Sequence, residues 1–210
     1  MKAVIFDMDG VLVDSEPKNA EQLAHFMQEY GCFPSESFLN SLVGTSYDFT
    51  SQACIDYMNV KMSVEEFKKK FDAYMKAHPY KYLDVLNQNV PTILRWLKEN
   101  GYKVAIASSS FLHQIQDMLD ECDIAHYFDV ILSGEMFKES KPNPEIYRMA
   151  AKKLGISCQE CLVIEDSFYG IEAGKRAGMK VLAVKDTRYG INQSHADAKI
   201  VSLKDLKEYL

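Results

Sequence analysis

Short apolar runs alternate with stretches of helical spacing along most of this chain, and no other feature limits its fold as much. The strand-like runs are Lys2–Phe6, Tyr102–Ala107, Val130–Leu132, Cys161–Glu165, Val181–Val184 and Lys199–Val201. Lys2-Ala-Val-Ile-Phe6 is apolar after its first residue, which predicts a strand covered on both faces. Between the runs, Leu112, Ile115, Met118 and Leu119 recur at helical spacing, as do Ile146, Met149, Ala150 and Leu154. Asn143-Pro144 predicts an N-cap with proline at the first helical position. Gly101, Gly155 and Gly178 stand where helices should stop before the chain turns back into strands. Strands joined by helices imply a parallel sheet with right-handed crossovers. The expected fold is α/β, a doubly wound parallel sheet.

The spacing is uneven. About 95 residues separate the first strand from the second, where a crossover needs only about a dozen. Helical signals fill this interval. Ala20, Leu23, Ala24 and Met27 form one stripe, and Phe38, Leu39 and Leu42, then Cys54, Ile55 and Met58, suggest two more helices. Ser63-Val-Glu-Glu66 is a capping box ahead of Phe67, Phe71, Tyr74, Met75 and His78 on one face. An all-helical domain inserted over residues 15–87 is therefore expected, leaving 1–14 and 88–210 for the α/β core. An insertion that leaves the carboxyl edge of the sheet is placed to act as a lid.

Composition removes several classes of partner. A net charge of −6 offers no electrostatic footprint for a nucleic acid polymer or an anionic membrane. Lys68-Lys69-Lys70 follows Glu65 and Glu66 and reads as a solvated helix face. No apolar stretch approaches the roughly 20 residues of a membrane span. The first residues open into a core strand, so a cytoplasmic protein without a signal peptide is expected. The five cysteines are an odd number, which argues against a complete disulfide framework. Cys158 and Cys161 form a CxxC pair, but no second pair exists to finish a zinc site.

Polar residues cluster at the predicted strand ends. Asp7 and Asp9 follow the first strand, where open α/β sheets bind their ligands. Two anions in a partly buried crevice repel each other and lose hydration, so a cation is expected, and hard oxygen donors suit Mg²⁺. An acidic turn after a strand is the plainer reading of this segment alone. Ser108-Ser109-Ser110 precedes a helix and suits either a phosphate cradle or simple helix capping. Lys141, held by Pro142-Asn143-Pro144, either offsets phosphate charge or is a solvated loop lysine. Glu165-Asp166 repeats the acidic theme after another apolar strand, and neighbouring strand ends converge, so the two acidic sites can share one metal. Gly170, Gly174 and Gly178 would let the following helix pack closely on the sheet and then end.

Asp7-Met-Asp9-Gly-Val-Leu-Val, Ser108, Lys141-Pro-x-Pro and Glu165-Asp166-Ser-x-x-Gly-Ile resemble, in order, the four motifs of the haloacid dehalogenase-like hydrolase superfamily. With the helical insertion and Lys141-Pro-x-Pro-Glu-Ile-Tyr147, the chain is similar to the subgroup of β-phosphoglucomutase and small sugar-phosphate phosphatases. The resemblance implies that Asp7 is the nucleophile taking the phosphoryl group as an aspartyl-phosphate. It implies that Asp9 is the general acid and then the base. Asp7 and Asp166 would ligate Mg²⁺ through side chains and Asp9 through its backbone carbonyl. Glu165 would stand at the metal directly, through water, or as the residue that orients Lys141. Ser108, Ser109 and Lys141 would hold the transferring oxygens. The expected partner is a small phosphorylated metabolite, and the expected enzyme a monomeric phosphatase.

The acceptor of the phosphoryl group is the open question. In β-phosphoglucomutase the lid carries a Lys-Gly pair and an Arg three residues later. Here Gly44 is kept, while Val43 and Tyr47 replace the cations, and Asn19 stands where that mutase has a histidine. This favours a phosphatase over a mutase, because a second phosphate would be poorly held. Asn19, Gly44, Thr45, Ser46 and Tyr47 are the candidate substrate contacts of the insertion. Haloalkanoate dehalogenation fits less well, since those relatives need neither the second aspartate nor Mg²⁺. A phospholigand-binding domain without catalysis stays as a remote alternative.

Overall fold

The structure, a computed structural model, describes residues 1–210. Its elements in chain order are β1 (Ala3–Phe6), α1 (Glu16–Gln28), α2 (Glu36–Leu42), α3 (Tyr47–Met58), α4 (Val64–Ala77), α5 (Tyr82–Val85), α6 (Val90–Glu99), β2 (Lys103–Ser108), α7 (Leu112–Glu121), β3 (Val130–Ser133), α8 (Glu145–Leu154), β4 (Cys161–Glu165), α9 (Phe168–Arg176), β5 (Lys180–Val184) and β6 (Ala198–Ile200). Two compact units result: residues Met1–Asp14 with Tyr82–Leu210, and residues Ser15–Lys81.

The first unit is a six-stranded sheet in the order β3-β2-β1-β4-β5-β6, parallel throughout. Alternation along β1 sets its two faces. Val4 and Phe6 join Val104, Ile106, Leu162 and Ile164 in a core covered by α6 and α7. Ala3 and Ile5 join Ala105, Ala107, Val163 and Val181 on the opposite face, under α8 and α9. All four residues of β1 are fully buried, which explains why its sequence carries no polar alternation. Gly174 shows how tightly α9 lies: a Cβ there would sit 2.7 Å from Val181 Cγ2. Asn143 is not the N-cap of α8, as its sequence suggests. The helix begins at Glu145 after Pro144, and Asn143 Oδ1 accepts the Glu145 N–H at 2.9 Å. The side chain does a capping job from one position further out.

The second unit holds α1 to α4, packed on Leu23, Phe26, Met27, Leu42, Cys54, Ile55 and Phe67. Ser35, Ser46 and Ser63 cap α2, α3 and α4, accepting the N–H groups of Phe38, Phe49 and Glu66. The unit ends at Lys81, short of the boundary at 87 that the helical pattern predicts. The reason is main-chain pairing within the first unit: Asp14 N–H donates to the Val85 carbonyl at 2.8 Å and Asn87 N–H to that of Leu12 at 2.9 Å. No helix of the chain is long and apolar enough to cross a membrane.

Candidate active site

β1 and β4 are neighbours at the point where the strand order reverses, so the segments after Phe6 and after Ile164 leave the sheet side by side. Asp7 N–H donates to the Ile164 carbonyl at 2.9 Å, which carries the strand pairing one residue into the site. Asp7, Glu165 and Asp166 each present a carboxylate oxygen, and these oxygens lie within 4.8 Å of one another. Gly10 makes the approach possible. It has φ 73°, and a Cβ on it would fall 1.9 Å from Asp166 Oδ2.

Lys141 reaches this cluster from the turn before α8. Its Nζ donates to Asp7 Oδ1 at 2.8 Å and to Glu165 Oε1 at 2.7 Å, and its side chain is only 6% exposed. Tyr147, in the first turn of α8 and fully buried, donates its hydroxyl to the same Glu165 oxygen at 2.7 Å. The other oxygen, Oε2, accepts the N–H groups of Asp166 and Ser167 and the Ser167 hydroxyl. Glu165 thus takes five donors, and its carboxylate lies where a Cβ on Gly170 would be, 1.7 Å from Oε1.

The charge distribution follows from these partners. Burial works against ionisation of Glu165, yet Lys141, Tyr147 and the Ser167 N–H outweigh it and hold the carboxyl below its usual range. Asp7 has Lys141 alone among these donors. Burial pushes its carboxyl up to about 7 despite that lysine, and the charges of Glu165 and then Asp9 add to the rise. Burial likewise opposes the charge on Lys141, but Asp7 and Glu165 hold the ammonium well above the ordinary lysine range. The crevice is short of positive charge. Three carboxylates with oxygen donors only, one of them reluctant to ionise, fit a hard divalent cation.

The Asp9 carboxylate lies outside this oxygen cluster and accepts the Ser110 hydroxyl at 2.5 Å. Ser110 is set in turn by its neighbours: its N–H donates to Ser108 Oγ at 3.0 Å, and its carbonyl accepts the buried Ser133 hydroxyl at 2.7 Å. Ser108 is buried at the end of β2 and Ser109 is exposed beside it. The N–H groups of Phe111 and Leu112 go to Gln114 and Glu135. The phosphate cradle expected here therefore narrows, because side chains of the chain itself take the amides of residues 110 to 112.

In the second unit, Thr45 donates to the Leu42 carbonyl at 2.7 Å and shares a 2.8 Å hydrogen bond with Thr50. Ser46 is the N-cap of α3. Tyr47 donates its hydroxyl to Asp72 Oδ1 at 2.7 Å, with Lys68 over its ring. Each thus has a structural duty that the sequence does not reveal. Gly44 is exposed with φ 74°, and Asn19 Oδ1 accepts the Tyr80 hydroxyl at 3.4 Å. Ser110 and Tyr147 were the residues that sequence reasoning passed over. Both had a signal, since Ser110 ends the serine run and Tyr147 closes the Lys141-Pro-x-Pro-Glu-Ile-Tyr147 motif.

The family model described as haloacid dehalogenase-like hydrolase matches residues 4–184. The chain belongs to this family. Among curated relatives, it is 33% identical to the phosphorylated carbohydrates phosphatase of Thermotoga maritima, over 95% of this chain and 89% of that protein. It is 30% identical to hexitol phosphatase B of Escherichia coli, over 97% of this chain and 93% of that one. The crystal structure of β-phosphoglucomutase from Clostridium difficile superimposes with a TM-score of 0.81 at 27% identity, covering 100% of this chain and 95% of the other. As a haloacid dehalogenase-like hydrolase, the chain carries its four motif regions on one sheet edge: after β1, at the end of β2, before α8 and after β4.

Proposed function

We propose that this hydrolase is a Mg²⁺-dependent phosphatase of small phosphate monoesters, sugar or related metabolite phosphates, working through an aspartyl-phosphate on Asp7. The observation that carries the reading is the gathering of Asp7, Glu165 and Asp166 oxygens within 4.8 Å, with Lys141 at 2.8 Å from Asp7. The enzyme class itself rests on the family and on relatives that are phosphatases: the chain is a hydrolase of phosphoric monoesters. Asp7 and Asp166 would hold Mg²⁺ with their side chains and Asp9 with its backbone carbonyl. When bound, Mg²⁺ supplies the positive charge that lets a phosphate approach an anionic nucleophile. Glu165 already takes five donors, which suits the role of orienting Lys141 and meeting the metal through water.

The residues divide the chemistry as follows. A carboxylate oxygen of Asp7 bonds to phosphorus as the bond to the leaving oxygen breaks, and Asp9 gives its proton to that oxygen. Asp9, now ionised, takes a proton from water, the water oxygen bonds to phosphorus, and Asp7 leaves as the carboxylate. Ser110 fixes the Asp9 carboxylate for both proton transfers. Lys141 and Ser108 neutralise and hold the transferring oxygens. The helical unit of residues Ser15–Lys81 serves as the lid, with Asn19 and Gly44 among its substrate contacts. Val43 and Tyr47, in place of the cations of the mutase, favour water as the acceptor. With this reading go a cytoplasmic location and a monomeric state, as expected from the sequence.

Release of phosphate from p-nitrophenyl phosphate, with and without Mg²⁺, tests the proposal. Asp7→Asn is expected to lower kcat by on the order of 10³-fold or more, and Asp9→Asn by roughly 10²- to 10⁴-fold. An Asp7→Asn variant of near-normal activity would remove the nucleophile from the scheme. Interconversion of glucose 1- and 6-phosphates without phosphate release would identify a mutase instead.

A further inference from the structure

Gln193 lies in the segment between β5 and β6, far in sequence from every motif, and is 2% exposed. Its amide head meets three main-chain groups. Nε2 donates to the Asp166 carbonyl at 2.7 Å and to the Val184 carbonyl at 2.7 Å, while Oε1 accepts the Asp186 N–H at 3.1 Å. The loop that presents it is itself held: the Asp186 carboxylate accepts the N–H groups of Arg188, Tyr189 and Ile191. At Asp166 the main chain is restrained on both sides, its N–H by Glu165 Oε2 at 3.0 Å and its carbonyl by Gln193. The carboxylate that packs against Gly10 therefore hangs from a backbone with little freedom.

We infer that Gln193 is a positioning residue that sets the Asp166 carboxylate in register with Asp7 for divalent cation binding, which rests on the reading of these residues as Mg²⁺ ligands. Two donors and one acceptor on one planar head are what this spot requires, and no other side chain of similar length supplies them. Glutamate would turn an anionic oxygen toward two carbonyls. Methionine would keep the length and leave all three main-chain groups without a partner. Either change lets the Asp166 carbonyl rotate, and small displacements of a ligand's support weaken metal sites.

The test uses the full-length chain, Gln193→Glu, Gln193→Met and, as a control on the same loop, Arg188→Ala. Arg188 bonds Asp14 and makes no contact with Asp166 among its hydrogen bonds. Mg²⁺ dissociation constants are measured by calorimetry without substrate, beside thermal midpoints and kcat at saturating Mg²⁺. Expected is a roughly 10- to 100-fold weaker Mg²⁺ affinity in both Gln193 variants, recovery of most of kcat at saturating Mg²⁺, and an affinity within about twofold of wild type for the control. If the glutamate variant does not fold, the uncharged methionine variant decides. Lower midpoints with unaltered Mg²⁺ affinity would mean that Gln193 only stabilises the loop and would overturn the inference, as would an equal loss in the control. A wild-type chain that binds no Mg²⁺ removes the reading of the site together with the inference. Wild-type binding with unchanged Gln193 variants removes the inference alone.

Discussion

At Gly10 a single hydrogen separates a working crevice from a blocked one. Gly10→Ala places a methyl where the Asp166 carboxylate stands, on a residue whose φ of 73° an alanine adopts only at a cost of about 1–2 kcal/mol. Expected is a loss of that stability in urea unfolding, together with most of the Mg²⁺-dependent turnover in a steady-state assay; retention of both would contradict the packing described. Charged residues at this scale were legible in the sequence. Asp7 and Asp9 repeat at the end of one strand what Glu165 and Asp166 do at another, which an acidic turn explains for either pair alone but less well for both, and Lys141 sits in a constrained turn. Ser110 and Tyr147 were legible only as neighbours of motif residues, and Gln193 not at all, because an uncharged hydrogen-bonding side chain looks the same in a functional loop and in any other. Only the fold tells which carbonyl or carboxylate comes within 3 Å of it. Thr45 and Tyr47 show the converse: hydroxyls that suggest substrate contact are engaged with Leu42, Thr50 and Asp72.

The strands were read almost to the residue, because a strand buried on both faces writes its boundaries in a run of apolar side chains. What their sequences hide is how the outer strands are fastened. Asp129, just before β3, donates its N–H to Val104 O and accepts the Val104 N–H through Oδ2; Asp197, just before β6, does the same with Val181. Burial alone would raise both carboxyls, but the Lys98 and Lys175 ammonium groups and the strand N–H groups outweigh it and hold both below the ordinary 3.8. A depressed folded value means stability that is present above the unfolded value and lost as pH falls through the folded one. Asp129→Asn with Asp197→Asn should therefore unfold at lower urea than wild type at pH 7, and the gap should close below about pH 4. A gap independent of pH would show that charge is not what the two aspartates contribute. On α9, Gly174→Ala gains about 1 kcal/mol of helix propensity and loses about 1–3 kcal/mol to overpacking against Val181, 2.7 Å from the new Cβ. Net destabilisation is expected in urea melts, and net stabilisation would mean that the helix can shift outward.

For the molecule as a whole, a cation bound by the folded state alone adds to its stability in proportion to the logarithm of concentration. At about a hundredfold excess over its dissociation constant, Mg²⁺ should contribute about 2.7 kcal/mol, or roughly 5–10 °C in the thermal midpoint of a chain this size. EDTA should reverse the shift, and Asp166→Ala should abolish it. The division into a sheet unit and a helical unit was legible in the long interval after the first strand; its second boundary was less so. Residues 82 to 87 carry no patterned signal, and their allegiance is decided by main-chain bonds to residues 12 to 14. Those bonds have an evolutionary corollary. Since the root of the insertion is stapled by Leu12–Asn87 and Asp14–Val85, a different helical module spliced between residues 14 and 82 would meet a ready-made socket and leave every strand pairing intact. The helical unit of residues Ser15–Lys81 can then drift in sequence while the sheet and the carboxylates at its strand ends stay put.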